Sequence, residues 1–300
     1  MRKQMNTENT KPFVSWLWKV PAIAITFFFG VMASGAVITA MKMPWPTLPE
    51  SLSQTSELML SLVGSLLMAV CLALLARGIR GSQGVRWFVL TLFAYVTYGL
   101  NNQIESTIFT TYGGFTTMLL FYTLPCALGA AAAVKLFQPE EHERLLDHVF
   151  AGRSVAQWGW RVVVAWLAFP VIYLAFGMLA APFVVPVYQT QDFGLTLPGM
   201  GTIIPVALGR SAIYLAATIP LIVIWSRSQR SLLWSLAISF FAMMGLIGLL
   251  TATFFPPVLR VTHSIEILGD AIVYSWLLVA LFIPKARPEV NEAVPAIADS

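Results

Sequence analysis

The chain has 300 residues, of which 58% are hydrophobic and only 11% charged, and its mean hydropathy is +0.76. Soluble domains carry about 25% charged residues, so this composition excludes an ordinary soluble globule and points to a polytopic membrane protein. The net charge of +4 does not imply nucleic-acid binding, because the basic residues stand at the ends of apolar runs and form no patch.

A bilayer core of about 30 Å needs roughly 20 apolar residues per helix. Eight segments meet that requirement: 13–38, 57–77, 86–109, 113–136, 161–186, 201–226, 231–254 and 263–284. The expected fold class is all-α, an integral membrane bundle of eight transmembrane helices. Residues 1–12 are expected to be a cytoplasmic N-terminal segment, 13–137 a first four-helix unit, 138–160 a cytoplasmic linker, 161–284 a second four-helix unit, and 285–300 a disordered cytoplasmic tail.

The first apolar run follows Met1-Arg2-Lys3 but is long for a signal peptide and contains Lys19 and Pro21, so it reads as a retained helix. In the linker, Pro139 and Glu140, Glu141 and Glu143 suit a helix start, and Leu145, Leu146, Val149 and Phe150 form an apolar stripe. A short interfacial helix is expected there. His142-Glu143 begins a zinc-protease-like pattern, but the second histidine would have to stand at Leu146, so the pair reads as a solvated face.

Lys and Arg residues set the orientation. Arg2, Lys3, Lys11, Lys19, Arg77, Arg80, Arg86, Lys135, Arg144, Arg153, Arg161, Arg227, Arg230, Lys285 and Arg287 fall on one side of the eight-helix layout, against Lys42 and Arg260 on the other. Both termini are therefore expected in the cytoplasm, in a membrane of bacterial inner (plasma) type. Trp16, Trp18, Trp87, Trp158, Trp160, Trp225 and Trp234 gather near the same interface, where an aromatic belt belongs.

The halves also match each other. Trp16-Leu17 before Pro21 recurs as Trp166-Leu167 before Pro170, and Thr47-Leu48-Pro49 recurs as Thr196-Leu197-Pro198 at an offset of 149. Arg77 and Arg80 recur as Arg227 and Arg230 at an offset of 150. A parallel four-plus-four internal repeat is expected, since an even number of helices per unit preserves orientation.

The last segment opens with His263, Glu266 and Asp270 on one helical face, and Tyr274 continues that face one turn deeper. Ionisable groups inside a bilayer are costly and usually face a bundle interior or a water-filled cavity. At 1.5 Å per residue, Glu105 and Glu266 each stand about 28 Å from the inner end of their helix, Arg210 about 24 Å and Asp270 about 22 Å. Tyr98, Tyr214 and Tyr274 form a layer beneath. The candidate solute- or ion-binding residues are therefore Asn101, Glu105, Arg210, His263, Glu266 and Asp270, with Tyr98, Tyr214 and Tyr274 as a cavity floor.

Arg210 is expected to pair with a carboxylate. Crowded carboxylates cannot all ionise at once, so one is expected to hold a proton near neutral pH. Asn101, Asn102 and Gln103 equally fit a helix end, which would leave Glu105 in interfacial water.

These residues suit a small-solute or ion carrier with proton linkage and an outward-facing cavity. Two alternatives remain open. One is a metal-dependent intramembrane hydrolase, for which Glu105, His263, Glu266 and Asp270 are acceptable ligands. The other is a structural or sensory subunit in which these charges pin the helices together or dock a membrane partner. The chain carries no P-loop and no Gly-x-Ser-x-Gly, so no catalytic residue and no cofactor is assigned. The expected partners are the lipid bilayer and a small solute or cation, with no nucleic acid. Cys71 and Cys126 fall in apolar runs and read as packed thiols. No motif places the chain in a known family.

Overall fold

A computed structural model of the chain describes residues 11–47, 54–138, 152–190 and 192–283. The described residues are nearly all helical. The order is α1 (Lys11–Ala40), α2 (Gln54–Gly78), α3 (Gln83–Ala94), a π-helical turn (Tyr95–Leu100), α4 (Asn101–Phe109) and α5 (Phe115–Leu136). There follow α6 (Val155–Gln189), α7 (Met200–Val223), α8 (Gln229–Phe241), a second π turn (Ala242–Leu246), α9 (Ile247–Thr251) and α10 (Pro257–Phe282).

Seven helical runs are long and apolar enough to cross a membrane: those within α1, α2, α5, α6, α7 and α10, and the continuous run α8 to α9. The run from α3 through α4, Gln83–Phe109, is of similar length. Its last turns carry Asn101, Asn102, Gln103 and Glu105, which lower its apolarity.

Local chemistry starts several of these helices. Ser82 and Ser228 accept N-cap hydrogen bonds from Val85 and Ser231. Ser154 and Gln157 form a capping box. Helix α6 therefore begins at Val155, six residues earlier than the segment 161–186, and takes the end of the expected linker. Helix α10 begins at Pro257, since a proline at the first helical position loses no hydrogen bond. His263 thus lies inside α10 and does not open it. The interfacial helix expected at 138–160 falls mainly on residues outside those described, as do most of the N-terminal segment and the tail.

Small residues let the rods approach closely. A Cβ on Gly30 of α1 would come within 2.6 Å of the Pro125 Cα of α5. One on Gly78 would meet the Trp225 ring at 2.1 Å. Trp225 is fully buried where the α2–α3 and α7–α8 junctions pair antiparallel. There the Arg80 N–H donates to the Ile224 carbonyl at 2.8 Å and the Ser226 N–H to the Gly78 carbonyl at 2.7 Å.

This end of the bundle collects Arg77, Arg80, Arg86, Lys135, Arg153, Arg161, Arg227 and Arg230 and is called the basic end below. The opposite end, the far end, holds Lys42 and Arg260. Arg86 is not a loop charge. It is 2% exposed, and its Nη2 donates to the carbonyls of Ala76 and Phe137 at 2.9 and 2.6 Å. At the far end the Thr196 N–H donates to the Phe109 carbonyl at 2.8 Å and the Thr111 N–H to the Gly194 carbonyl at 2.9 Å.

Candidate functional site

The site begins with backbone geometry. In a π turn the hydrogen bonds slip by one residue and the turn widens, which alters how the local carbonyls are paired. The second π turn offers the Met244 carbonyl to Asn101 Nδ2 at 3.2 Å and the Met243 carbonyl to Asn102 Nδ2 at 3.5 Å. Asn101 is fully buried, and helix α4 continues past it to Phe109. The three amide residues therefore do not end the helix, and Glu105 stays within it.

Asn101 passes this anchorage on to Arg210. Arg210 Nε donates to Asn101 Oδ1 at 3.1 Å, and the Tyr214 hydroxyl donates to the same oxygen. Arg210 Nη2 reaches Glu105 Oε1 at 2.6 Å and the Tyr214 hydroxyl at 3.2 Å. Three rings surround the guanidinium: its Cζ lies 5.0 Å from the Tyr173 centroid, 5.6 Å from Phe169 and 5.8 Å from Tyr214. A buried guanidinium is tolerable when a carboxylate, hydrogen-bond acceptors and ring faces all replace water. Arg260, on the same side of the bundle, donates to the Leu249 carbonyl at 2.8 Å at the end of α9.

A second pair stands on α10. His263 Nδ1 lies 2.6 Å from Glu266 Oε2, and its Nε2 lies 3.4 Å from the Tyr188 hydroxyl. Asp270 comes one turn deeper. It is 5% exposed, and its Oδ1 has no hydrogen-bond partner among the described residues.

These groups meet around a cavity of about 460 Å³ lined by α4, α6, α9 and α10, with contributions from α5, α7 and the far-end loops. Glu105, Arg210, His263, Glu266, Asp270 and Tyr98 line it; Asn101, Tyr214 and Tyr274 do not. Tyr214 and Tyr274 lie one turn beyond Arg210 and Asp270, toward the basic end. There they pack on Phe169, with ring centroids 5.0 and 5.2 Å away, and Phe240 continues the stack. This aromatic plug is almost wholly buried.

Sequence reasoning missed the wall from α6. Phe169, Tyr173, Gly177, Ala181, Val184 and Tyr188 all line the cavity. Their spacing of three or four residues is a helical stripe, and the small Gly177 sits where a Cβ would lie 3.4 Å from Glu266 Oε1. That stripe stands in the sequence, where it cannot be told from an ordinary packing face. Among the described residues no group of three or more His, Cys, Asp or Glu side chains is placed to hold a metal ion, so the hydrolase reading lacks a ligand set.

Comparison of the chain with protein-family models, with curated proteins and with solved structures gave no match.

Proposed function

We propose that the protein is an integral membrane carrier that binds a small solute or cation in an outward-facing cavity and links its movement to protons. The observation that carries this reading is the cavity itself, which ends on five ionisable side chains. A network serving only to pin helices would close on itself. Here two pairs, Glu105–Arg210 and His263–Glu266, leave Asp270 beside the void with an unpartnered oxygen. A lone buried carboxylate is costly, and a proton or a bound cation relieves the cost.

The aromatic plug argues against an open pore and for alternating access, in which the inner half opens when the outer half closes. The π turns supply places for such movement, because a π turn is a local slip in helical register and often marks a functional position. Gly99 and Gly245 sit within the two π turns, and Gly245 lines the cavity.

In this reading the chain crosses the membrane eight times, with Gln83–Phe109 as a span, both termini in the cytoplasm and the basic end inward. The positive-inside bias supports that placement in a bacterial inner membrane. A parallel four-plus-four repeat is supported by paired landmarks at an offset of 146: Ser82 with Ser228 as caps, Ile79 with Trp225 at the junction, and Gly99 with Gly245. The first helices keep the offset of 149, so an outer loop shorter by three residues accounts for the change. Arg77 and Arg227, at 150, fall outside this register.

Thiol labelling tests the placement. Cys71 and Cys126 are buried and should stay silent. A single cysteine in the cavity wall, Ser106→Cys, should react with a membrane-impermeant maleimide applied outside intact cells. Reaction only from the cytoplasmic side would overturn the orientation, and no reaction from either side would overturn the open cavity.

A further inference from the structure

The cavity lining has a second, asymmetric feature that bears on what enters. Of its described lining residues, Met178, Leu197 and Met200 are the exposed ones, at 66%, 50% and 57%. All three lie along the seam between α6 and α7. Leu197 stands in the far-end loop, while Met178 and Met200 lie at similar depth within the apolar spans of α6 and α7, about 18 and 12 Å outward of the Trp166–Leu208 hydrogen bond at 1.5 Å per residue. The mouth therefore runs down the side of the bundle to a depth where, in a bilayer, acyl chains would be its surroundings. Every residue that frames it is apolar.

The inner end of the same cavity is polar and carries a surplus of negative charge. Arg210 is matched by Glu105, and His263 faces Glu266 and Tyr188. Asp270 faces Glu266, Arg210 and Glu105 without a direct partner on Oδ1, with Tyr214 and Tyr274 beneath it. Apart from the rings around Arg210, the walls present Phe109, Tyr122, Tyr188 and Phe254. Ring faces attract cations, most strongly where water is excluded. A neutral solute would leave the proton on Asp270 and so could not be linked to it, and an anion would meet three acidic side chains against one guanidinium that is already paired.

Building on the carrier reading above, we propose that the ligand is an amphiphilic organic cation, a protonated or quaternary amine on an apolar body. It enters from the outer leaflet through the α6–α7 seam and sets its charge against Asp270. Its arrival displaces the proton of that carboxylate, so one positive charge replaces another and the net charge of the site does not change. Affinity accordingly falls as pH falls, because protons compete for the same oxygen.

The test uses two ions of the same shape and opposite charge, tetraphenylphosphonium and tetraphenylborate. Their binding is measured calorimetrically on the full chain in nanodiscs of zwitterionic lipid, with empty discs subtracted. Saturable phosphonium binding is expected, weakened about tenfold or more by Asp270→Asn and by lowering the pH, while the borate shows none. Met178→Trp changes a lipid-exposed residue and should slow phosphonium association several-fold without altering the unfolding midpoint.

Borate binding in preference to phosphonium, phosphonium binding indifferent to Asp270→Asn, or no saturable binding of either ion would overturn the ligand class. An unchanged association rate in Met178→Trp would overturn entry through the seam. If the phosphonium binds as described but its gradient moves no protons in proteoliposomes, the ligand class stands and the carrier reading falls.

Discussion

Two arginines are buried in this bundle to the same degree, Arg86 at 2% exposure and Arg210 at 4%, yet they sit in different chemistry. Arg86 stands at the basic end and donates to the carbonyls of Ala76 and Phe137, near the C-termini of α2 and α5. Those ends are electronegative through the helix dipole, so the guanidinium fastens three helices together without any acidic partner. Arg210 answers a carboxylate, an amide and three ring faces, and it lines a cavity. Burial and charge alone therefore do not mark a site. What separates the two is a void with further titratable groups around it.

Substitutions at both arginines and around them test that contrast. The largest expected effect on stability is at Arg86. Arg86→Ala removes two hydrogen bonds to a charged donor and leaves a packing defect, a loss of about 3–5 kcal/mol, read as a lowered thermal midpoint in detergent. Ligand binding per folded molecule should not change. Arg210→Ala should cost less, about 2–3 kcal/mol, because the orphaned Glu105 is 32% exposed and water partly relieves it. Adding Glu105→Gln should recover part of that loss, a coupling of about 1 kcal/mol in a double-mutant cycle. Binding should be impaired in both, since the cavity loses its ordered wall.

Packing at the basic end gives the next effect down. Gly78→Ala sets a methyl against the Trp225 ring and should cost about 1–3 kcal/mol, with no change in affinity once folded. Asp270→Asn should move the other way. It replaces a buried carboxyl group that lacks a full set of partners with a neutral amide of the same shape, so stability at neutral pH should stay within about 0.5 kcal/mol or rise, while proton linkage disappears.

The smallest effect is at the far-end loop. The Tyr112 hydroxyl donates to the Phe193 carbonyl at 2.6 Å, and burial pushes its phenol up to about 12 from 10.0. A raised value means that the neutral form is the one favoured by folding. The contribution is complete below pH 10 and is lost as pH climbs toward about 12. Tyr112→Phe should cost about 1 kcal/mol near neutrality and remove that alkaline decline in unfolding midpoint.

Much of the fold was legible because apolar length is so direct a signal in a bilayer protein. The eight segments correspond to helical rods within a few residues, except where capping chemistry extends them. Ser154 with Gln157 and Pro257 carried that information, but hydropathy overrode it. The charged residues that line the cavity stood out in the sequence because Glu105, Arg210, Glu266 and Asp270 interrupt long apolar runs, where ionised groups are rare.

Two things were not legible. The π turn at Ala242–Leu246 shows itself only when Asn101 and Asn102, more than a hundred residues away, meet its carbonyls. The aromatic wall of α6 was hidden because Phe169, Tyr173 and Tyr188 look like ordinary packing residues until the helix facing them is known. The burial of Arg86 was hidden for a related reason. A cation at a helix end is usually solvated, and nothing in its neighbours showed that two other helix termini close over it.

In the proposed carrier, cavity and carboxylate together couple a solute cation to a proton. The most direct measurement of this coupling is on proteoliposomes that enclose a pH-sensitive dye, with a tetraphenylphosphonium gradient imposed across the membrane at matched pH. The wild-type protein should move protons against the cation flow, and Asp270→Asn, equally folded and reconstituted, should move none beyond empty liposomes. Equal proton movement in both proteins, or none in the wild type, would contradict the account.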